Sequence, residues 1–373
     1  MMTYRERVQR CLHYESYDRL PVVHFGFWPE TLQKWAAEGH ITPAEAEGWG
    51  DGNEFDFAIG RKLGFDSNWS VCFGGNSGLL PGFEPLVLER LPNGDKKVRN
   101  GDGVVVLQND AAGSIPAEIE HLLVDRKSWE EHYLPRVQYS PTRIDWAALE
   151  KLKGAAAQRE MPLGIYCGSL FGMLRNWVGV VGASYIYADD EALFDEMINA
   201  VGELSFRVAQ ETLATGVRFD FAHFWEDICF KNGPLISPAV FREKVGPHYR
   251  RITGLLKDHG IDIVSVDCDG CIDALLPVWL ENGVNTMFPI EVGTWNASIA
   301  PWRAKYGRQV RGVGGMNKVV FAHDFTAVDA EVERLKPLVA LGGFIPCPDH
   351  RIAPDAKWEV VRHYCERMRA TFG

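Results

Sequence analysis

Two aspartates one residue apart, Asp267 and Asp269, end the run Ile261-Asp262-Ile263-Val264-Ser265-Val266 and are followed by Gly270. A short β-branched run that stops abruptly in polar groups predicts a buried parallel strand. If the backbone stays extended past Val266, both carboxylates leave the same face. Such a pair suits two ligands of one cation, or an acid and a base. Cys268 then faces the other way, into the core. Cys268-Asp269-Gly270-Cys271 also reads as C-x-x-C, but no second pair follows at ribbon spacing and no thioredoxin-type context surrounds it.

Other polar residues stand at comparable places. Val217 to Phe224 predicts a strand, and beyond it lie Glu226 and Asp227. Paired carboxylates at a buried strand tip perturb each other's ionisation, and Glu226 is taken as functional ahead of Asp227, the alternative for both being a helix-dipole or loop-ordering role. Ser237-Pro238 reads as an N-cap with proline at the first helical position. Glu291 follows the strand Val284 to Phe288. Gly312-Val313-Gly314-Gly315-Met316-Asn317-Lys318 is a glycine-rich turn whose N–H groups could cradle an anion, although it lacks nucleotide-binding spacing. Lys318 there could hold a carboxylate or pair with Glu291. Cys347, Asp349 and His350 follow the last strand, Gly342 to Pro346, and His350 and Cys347 are the natural zinc ligands at that rim.

Strands must carry these groups, and the chain supplies them. Beside those named, Leu20 to His24, Phe65 to Trp69, Pro162 to Cys167, Asp262 to Val266 and Gln309 to Gly312 read as strands. Helical spacers fall at Asp190 to Thr215, Pro238 to His259, Ile272 to Asn282, Ala297 to Tyr306 and Ala327 to Ala340. Eight strands alternating with helices predict an α/β fold, a closed (β/α)₈ TIM barrel with its chemistry at the C-terminal strand ends. Tyr4 to Tyr14 reads as an opening helix, and 117 to 160 as largely helical. Asn-Gly and Gly-Asp-Gly turns between short strands predict a β-meander insertion over residues 86 to 108. The chain 1–373 is read as one domain. Phe27, Trp28, Trp35 and Trp49, just after the first strand, read as a substrate wall or as packing of an irregular segment.

With 373 residues and a net charge of −11 without a basic block, nucleic acid is excluded as a partner. No apolar run is long enough to span a bilayer and no signal peptide opens the chain, so no membrane is involved and a cytoplasmic location is expected. Eight scattered cysteines are not a disulfide scaffold.

Several stretches together resemble the uroporphyrinogen decarboxylase superfamily, in its cobalamin-dependent methyltransferase branch. They are Tyr4-Arg5-Glu6-Arg7-Val8, Asp18-Arg19-Leu20-Pro21, Ile236-Ser237-Pro238 with Phe241-Arg242, Asp267-Cys268-Asp269-Gly270, Glu281-Asn282-Gly283-Val284-Asn285, Gly314-Gly315-Met316-Asn317-Lys318, and Gly342 through Pro354. The resemblance implies the (β/α)₈ barrel. Decarboxylases of the family carry an arginine-rich motif after the first strand, where this chain reads His24-Phe25-Gly26-Phe27-Trp28-Pro29. Its absence argues against a tetra-acidic porphyrinogen. The thiol-methylating branch binds zinc through His-x-Cys-Gly and a final Cys. The matching positions here are Asp267-x-Asp269-Gly270 and His350. Carboxylate and imidazole ligands leave zinc a harder Lewis acid, suited to an ether oxygen.

The resemblance thus implies transfer of a methyl group between a small substrate, such as a methoxylated aromatic, and the cobalt of a cobalamin on a separate corrinoid protein, since no corrinoid-binding domain is read here. Glu226, Asp267, Asp269 and His350 would hold or surround zinc, the first three as catalytic groups. His24, Trp28, Tyr166, Glu291 and Lys318 would line the substrate pocket. A homodimer is a further expected assembly. The competing readings are a metal-free, decarboxylase-like lyase and a non-catalytic binding barrel.

Overall fold

The computed structural model describes residues 2–69, 71–109, 116–155 and 159–373. Seven parallel strands form the central sheet, in the spatial order Phe344–Pro348, Arg311–Met316, Thr286–Ile290, Val264–Asp267, Phe221–Trp225, Gly164–Tyr166 and Cys72–Phe73. Val23–His24 and Ser67–Asn68 pair in parallel as a separate two-stranded sheet. A single parallel bridge, Phe27 to Ile352, ties the first strand's exit to the last strand's exit. Among the described residues the hydrogen bonds therefore draw an α/β fold with a parallel sheet, not the continuous eight-stranded ladder of a closed barrel. The ladder is interrupted between Ser67–Asn68 and Cys72–Phe73, and between the first and last strands. Ser67–Asn68 pairs with Val23–His24 and Cys72–Phe73 with Gly164–Tyr166, and among the described residues no ladder joins the two.

Three of the seven central strands, Val264–Asp267, Thr286–Ile290 and Phe344–Pro348, are buried along their whole length. This is the pattern of a parallel sheet covered on both faces. The strands start two to four residues later than the apolar runs imply, because residues such as 217–220 approach the sheet before pairing with it. Local chemistry sets the helices. Thr3 and Glu6 form a capping box on Tyr4–Leu12. Asn53 caps Glu54–Leu63, and Gly64, at φ 101°, ends it in the left-handed conformation. Ser237 sits at the N-cap of Pro238–Val240 without a capping hydrogen bond, and a π-helix at Phe241–Val245 follows.

Several elements depart from expectation. A long helix, Phe171–Asp189, kinked at Gly179, and a C-terminal helix, Trp358–Phe372, fill places assigned to no element. The meander has four strands, Leu86–Arg90, Lys96–Arg99, Val104–Gln108 and Ala117–His121. The last falls where helix was expected. Its Ala-Glu-Ile-Glu-His composition favours helix, but pairing with Val104–Gln108 overrides it. The helical reading to 160 also touches residues 156–158, which lie outside the described residues. No helix among the described residues is long and apolar enough to cross a membrane.

Candidate functional site

Strand register decides which side chains meet. Phe221–Trp225 and Val264–Asp267 align with His223 beside Ser265, Phe224 beside Val266, and Trp225 beside Asp267. Neighbours in register share a face, and successive residues alternate. Phe224 packs on Tyr249 of the helix Gly246–Asp258, so the face of Phe224 and Val266 meets the helices. The other face carries His223, Ser265 and Asp267, with the His223 ring 5.9 Å from Phe288 and Phe288 4.5 Å from Phe25. It is the face opposite the one that packs on the helix Gly246–Asp258.

Glu226 continues the helix-facing set. It is wholly buried, and its carboxylate accepts the N–H of Leu170 at 2.9 Å, the N–H of Gly172 at 2.6 Å and the hydroxyl of Tyr249. Burial pushes its carboxyl up to about 7, against the pull of those donors. The expectation that Glu226 joins the cation-holding group is therefore corrected: alternation along its strand sends it away from Asp267. Its neighbour takes the place. Asp227 lies at φ 53°, in the left-handed region, and its Oδ1 accepts the amide of Asp269 at 3.1 Å. Among the described residues Asp227, Asp267 and Asp269 can each offer an oxygen within 4.8 Å of the others'.

Three carboxylates this close repel one another. At roughly 4 Å and an effective dielectric near 20, each like pair costs about 4 kcal/mol. Burial first, then the Asp269 charge, raises the carboxyl of Asp227. The same two causes, joined by the Asp227 charge, raise that of Asp267 well above the ordinary carboxylate range. Asp267 is only 7% exposed, and no described residue donates a hydrogen bond to its carboxylate. A buried, unpartnered carboxylate facing two others fits a divalent cation, which resolves both the desolvation and the repulsion.

His350 adjoins the cluster through Asp269, with its Nε2 3.2 Å from Oδ2. Its Nδ1 and Asp269 Oδ1 are both buried without partners. Trp28 stacks on the imidazole, 5.6 Å between centroids and 15° from parallel, and Phe25 leans on it at 5.5 Å. Glu291 accepts the Gly270 amide at 2.5 Å and the Thr294 hydroxyl at 2.8 Å, so it shapes the loop that carries Asp269. Lys318 Nζ reaches the Arg351 carbonyl at 3.2 Å rather than Glu291. Trp28, Phe230, Asp269, Glu291, Lys318 and His350 line one cavity of about 470 Å³.

Two further expectations change. His24 is 1% exposed, wedged between Phe27 and Phe65, its Nδ1 accepting the Gly26 amide at 3.0 Å. It lies beneath the helix Glu54–Leu63 with Asp56 4.0 Å away and is not part of the cavity wall. Of the aromatic stretch, Phe27 and Trp35 are core, and Trp28 alone lines the cavity. Tyr166, paired with His223, lies on the same face as Asp267, and burial raises its hydroxyl ahead of the charges of Glu226 and Asp267. It is not part of the cavity wall. The end of the glycine-rich turn offers no free anion cradle, because the Asn317 amide goes to Glu331 and the Lys318 amide to Asp349.

No protein-family model matches the chain, and no curated protein does. Solved structures do. A methyltransferase from Methanosarcina mazei is similar over 99% of this chain and 98% of its own, with a TM-score of 0.59 and 15% identity. A B12-independent methionine synthase from Shewanella sp. W3-18-1, in complex with selenomethionine, is similar over 94% of this chain and 98% of its own, with a TM-score of 0.50 and 9% identity. At these identities the likeness is one of fold.

Proposed function

We propose that the chain is a methyltransferase on a (β/α)₈ scaffold, moving a methyl group between a small substrate and the cobalt of a separate corrinoid protein. The observation that carries the reading is the unpartnered, buried Asp267 facing Asp227 and Asp269, the last of which lines a cavity large enough for a small molecule. Two folds of methyltransfer enzymes that match almost end to end support it. Asp227, Asp267 and Asp269 would hold zinc or a like cation, with His350 beside them. Such a cation supplies Lewis acidity toward a methyl-bearing oxygen or sulfur.

The chain's own groups do the rest. Trp28 holds the His350 ring by stacking, and Asp269 holds it by Nε2. Lys318 is partly buried, and burial lowers its ammonium, so an anionic part of a substrate would find there a cation already stripped of much water. Trp28 and Phe230 offer apolar walls for a ring or methyl-bearing chain.

The test is anaerobic incubation of the zinc-loaded protein with cob(I)alamin and a panel of methoxyarenes, methylamines and thioethers, following methylcobalamin by absorbance. Methylation by at least one donor, lost in Asp267→Asn, is expected. No methylation by any donor overturns the reading in favour of a lyase or a binding protein.

A further inference from the structure

Glu226 accepts three hydrogen bonds beside the acidic cluster without belonging to it. Two of its donors, Leu170 N–H and Gly172 N–H, belong to the start of the helix Phe171–Asp189, where unpaired N–H groups and the helix dipole favour an anion. The third, Tyr249, comes from the neighbouring helix Gly246–Asp258. One turn further along the first helix, Arg175 donates to the Asp227 carbonyl at 2.9 Å and lies 5.9 Å from the Trp225 ring. The Glu226 amide donates to the Asp267 carbonyl at 2.8 Å. Three consecutive residues, Trp225, Glu226 and Asp227, are thus gripped by one helix, and the middle one is also tied to a second helix and to the adjoining strand.

A non-glycine residue at positive φ persists only where its surroundings over-determine it. Asp227 is such a residue, and its conformation is what turns its carboxylate toward Asp267 and Asp269. We infer that Glu226 is a positioning residue: by anchoring the strand tip to the two helices it sets the left-handed turn that presents Asp227 to the cation. This rests on the proposed cation site. Supporting groups of this kind are commonly worth 10–100-fold in metal affinity.

The test is an anaerobic titration of the full-length protein with Co²⁺, reading affinity and the visible absorption of the bound ion. Glu226→Gln keeps one acceptor but sets an amide NH₂ against the Gly172 N–H. It is expected to bind Co²⁺ at least about tenfold more weakly and to show an altered spectrum at saturation, with helix content unchanged. Tyr249→Phe removes one donor and should fall between it and wild type; it carries the test alone if Glu226→Gln does not fold. General destabilisation would lower the melting temperature without changing the spectrum of the saturated site. Wild-type affinity and spectrum in the folded variants overturn the inference. Absence of Co²⁺ binding in the wild type overturns the cation reading itself, and with it this one, before any variant is made.

Discussion

The amide of Glu226 donates to the carbonyl of Asp267 at 2.8 Å, yet the two carboxylates leave opposite faces of the sheet. One is satisfied among helices, and the other is buried against like charges. Removing the second should therefore stabilise the metal-free protein. Asp267→Asn keeps the shape, lifts a charge repelled by Asp227 and Asp269, and is expected to raise metal-free stability by about 1–3 kcal/mol at pH 8. Calorimetric melting of both proteins in chelator checks this. A lower melting temperature for the variant would mean that Asp267 has an attractive partner.

His223 gives the fold a pH dependence of its own. Its Nδ1 lies 2.6 Å from the Ser265 hydroxyl, and burial pushes its imidazole down to about 4. The unfolded chain takes up this proton near the ordinary 6.5, so between the two values the unfolded state binds more protons and stability rises with pH. On acidification from pH 7 to 4 this one group should cost about 3 kcal/mol. His223→Gln should flatten that part of the stability profile, measured by denaturant unfolding at each pH. An unchanged slope would place the acid sensitivity elsewhere.

Gly172 is predicted to be intolerant of substitution. A methyl group there would be driven into the carbonyl oxygen of Glu226, a backbone atom that cannot swing away, and toward the Ser169 hydroxyl. Gly172→Ala should cost about 1–3 kcal/mol of unfolding free energy, although alanine is the better helix former. Equal or greater stability in the variant would show that the helix start is not clamped to the strand tip.

How far the sequence reaches can be seen at these same residues. Strand–helix alternation is written in apolar runs and caps, so the parallel sheet and most of its helices are legible. Phe171–Asp189 is not, since its apolar residues run around much of the helix and Gly172, Gly179 and Gly182 interrupt the pattern. Alternation placed Asp267 and Asp269 together. Carried along the preceding strand from His223, the same rule would have chosen Asp227 over Glu226. His24 shows the other limit. What buries it is the helix Glu54–Leu63 laid over the first strand, a tertiary contact with no local signature.

The central claim is that Asp227, Asp267 and Asp269 hold one divalent cation. Elemental analysis of the purified protein after equilibrium dialysis against zinc tests it directly. One zinc per chain in the wild type and none in Asp267→Asn, which remains folded, is the predicted result. Equal metal content in the two proteins, or none in either, would contradict it.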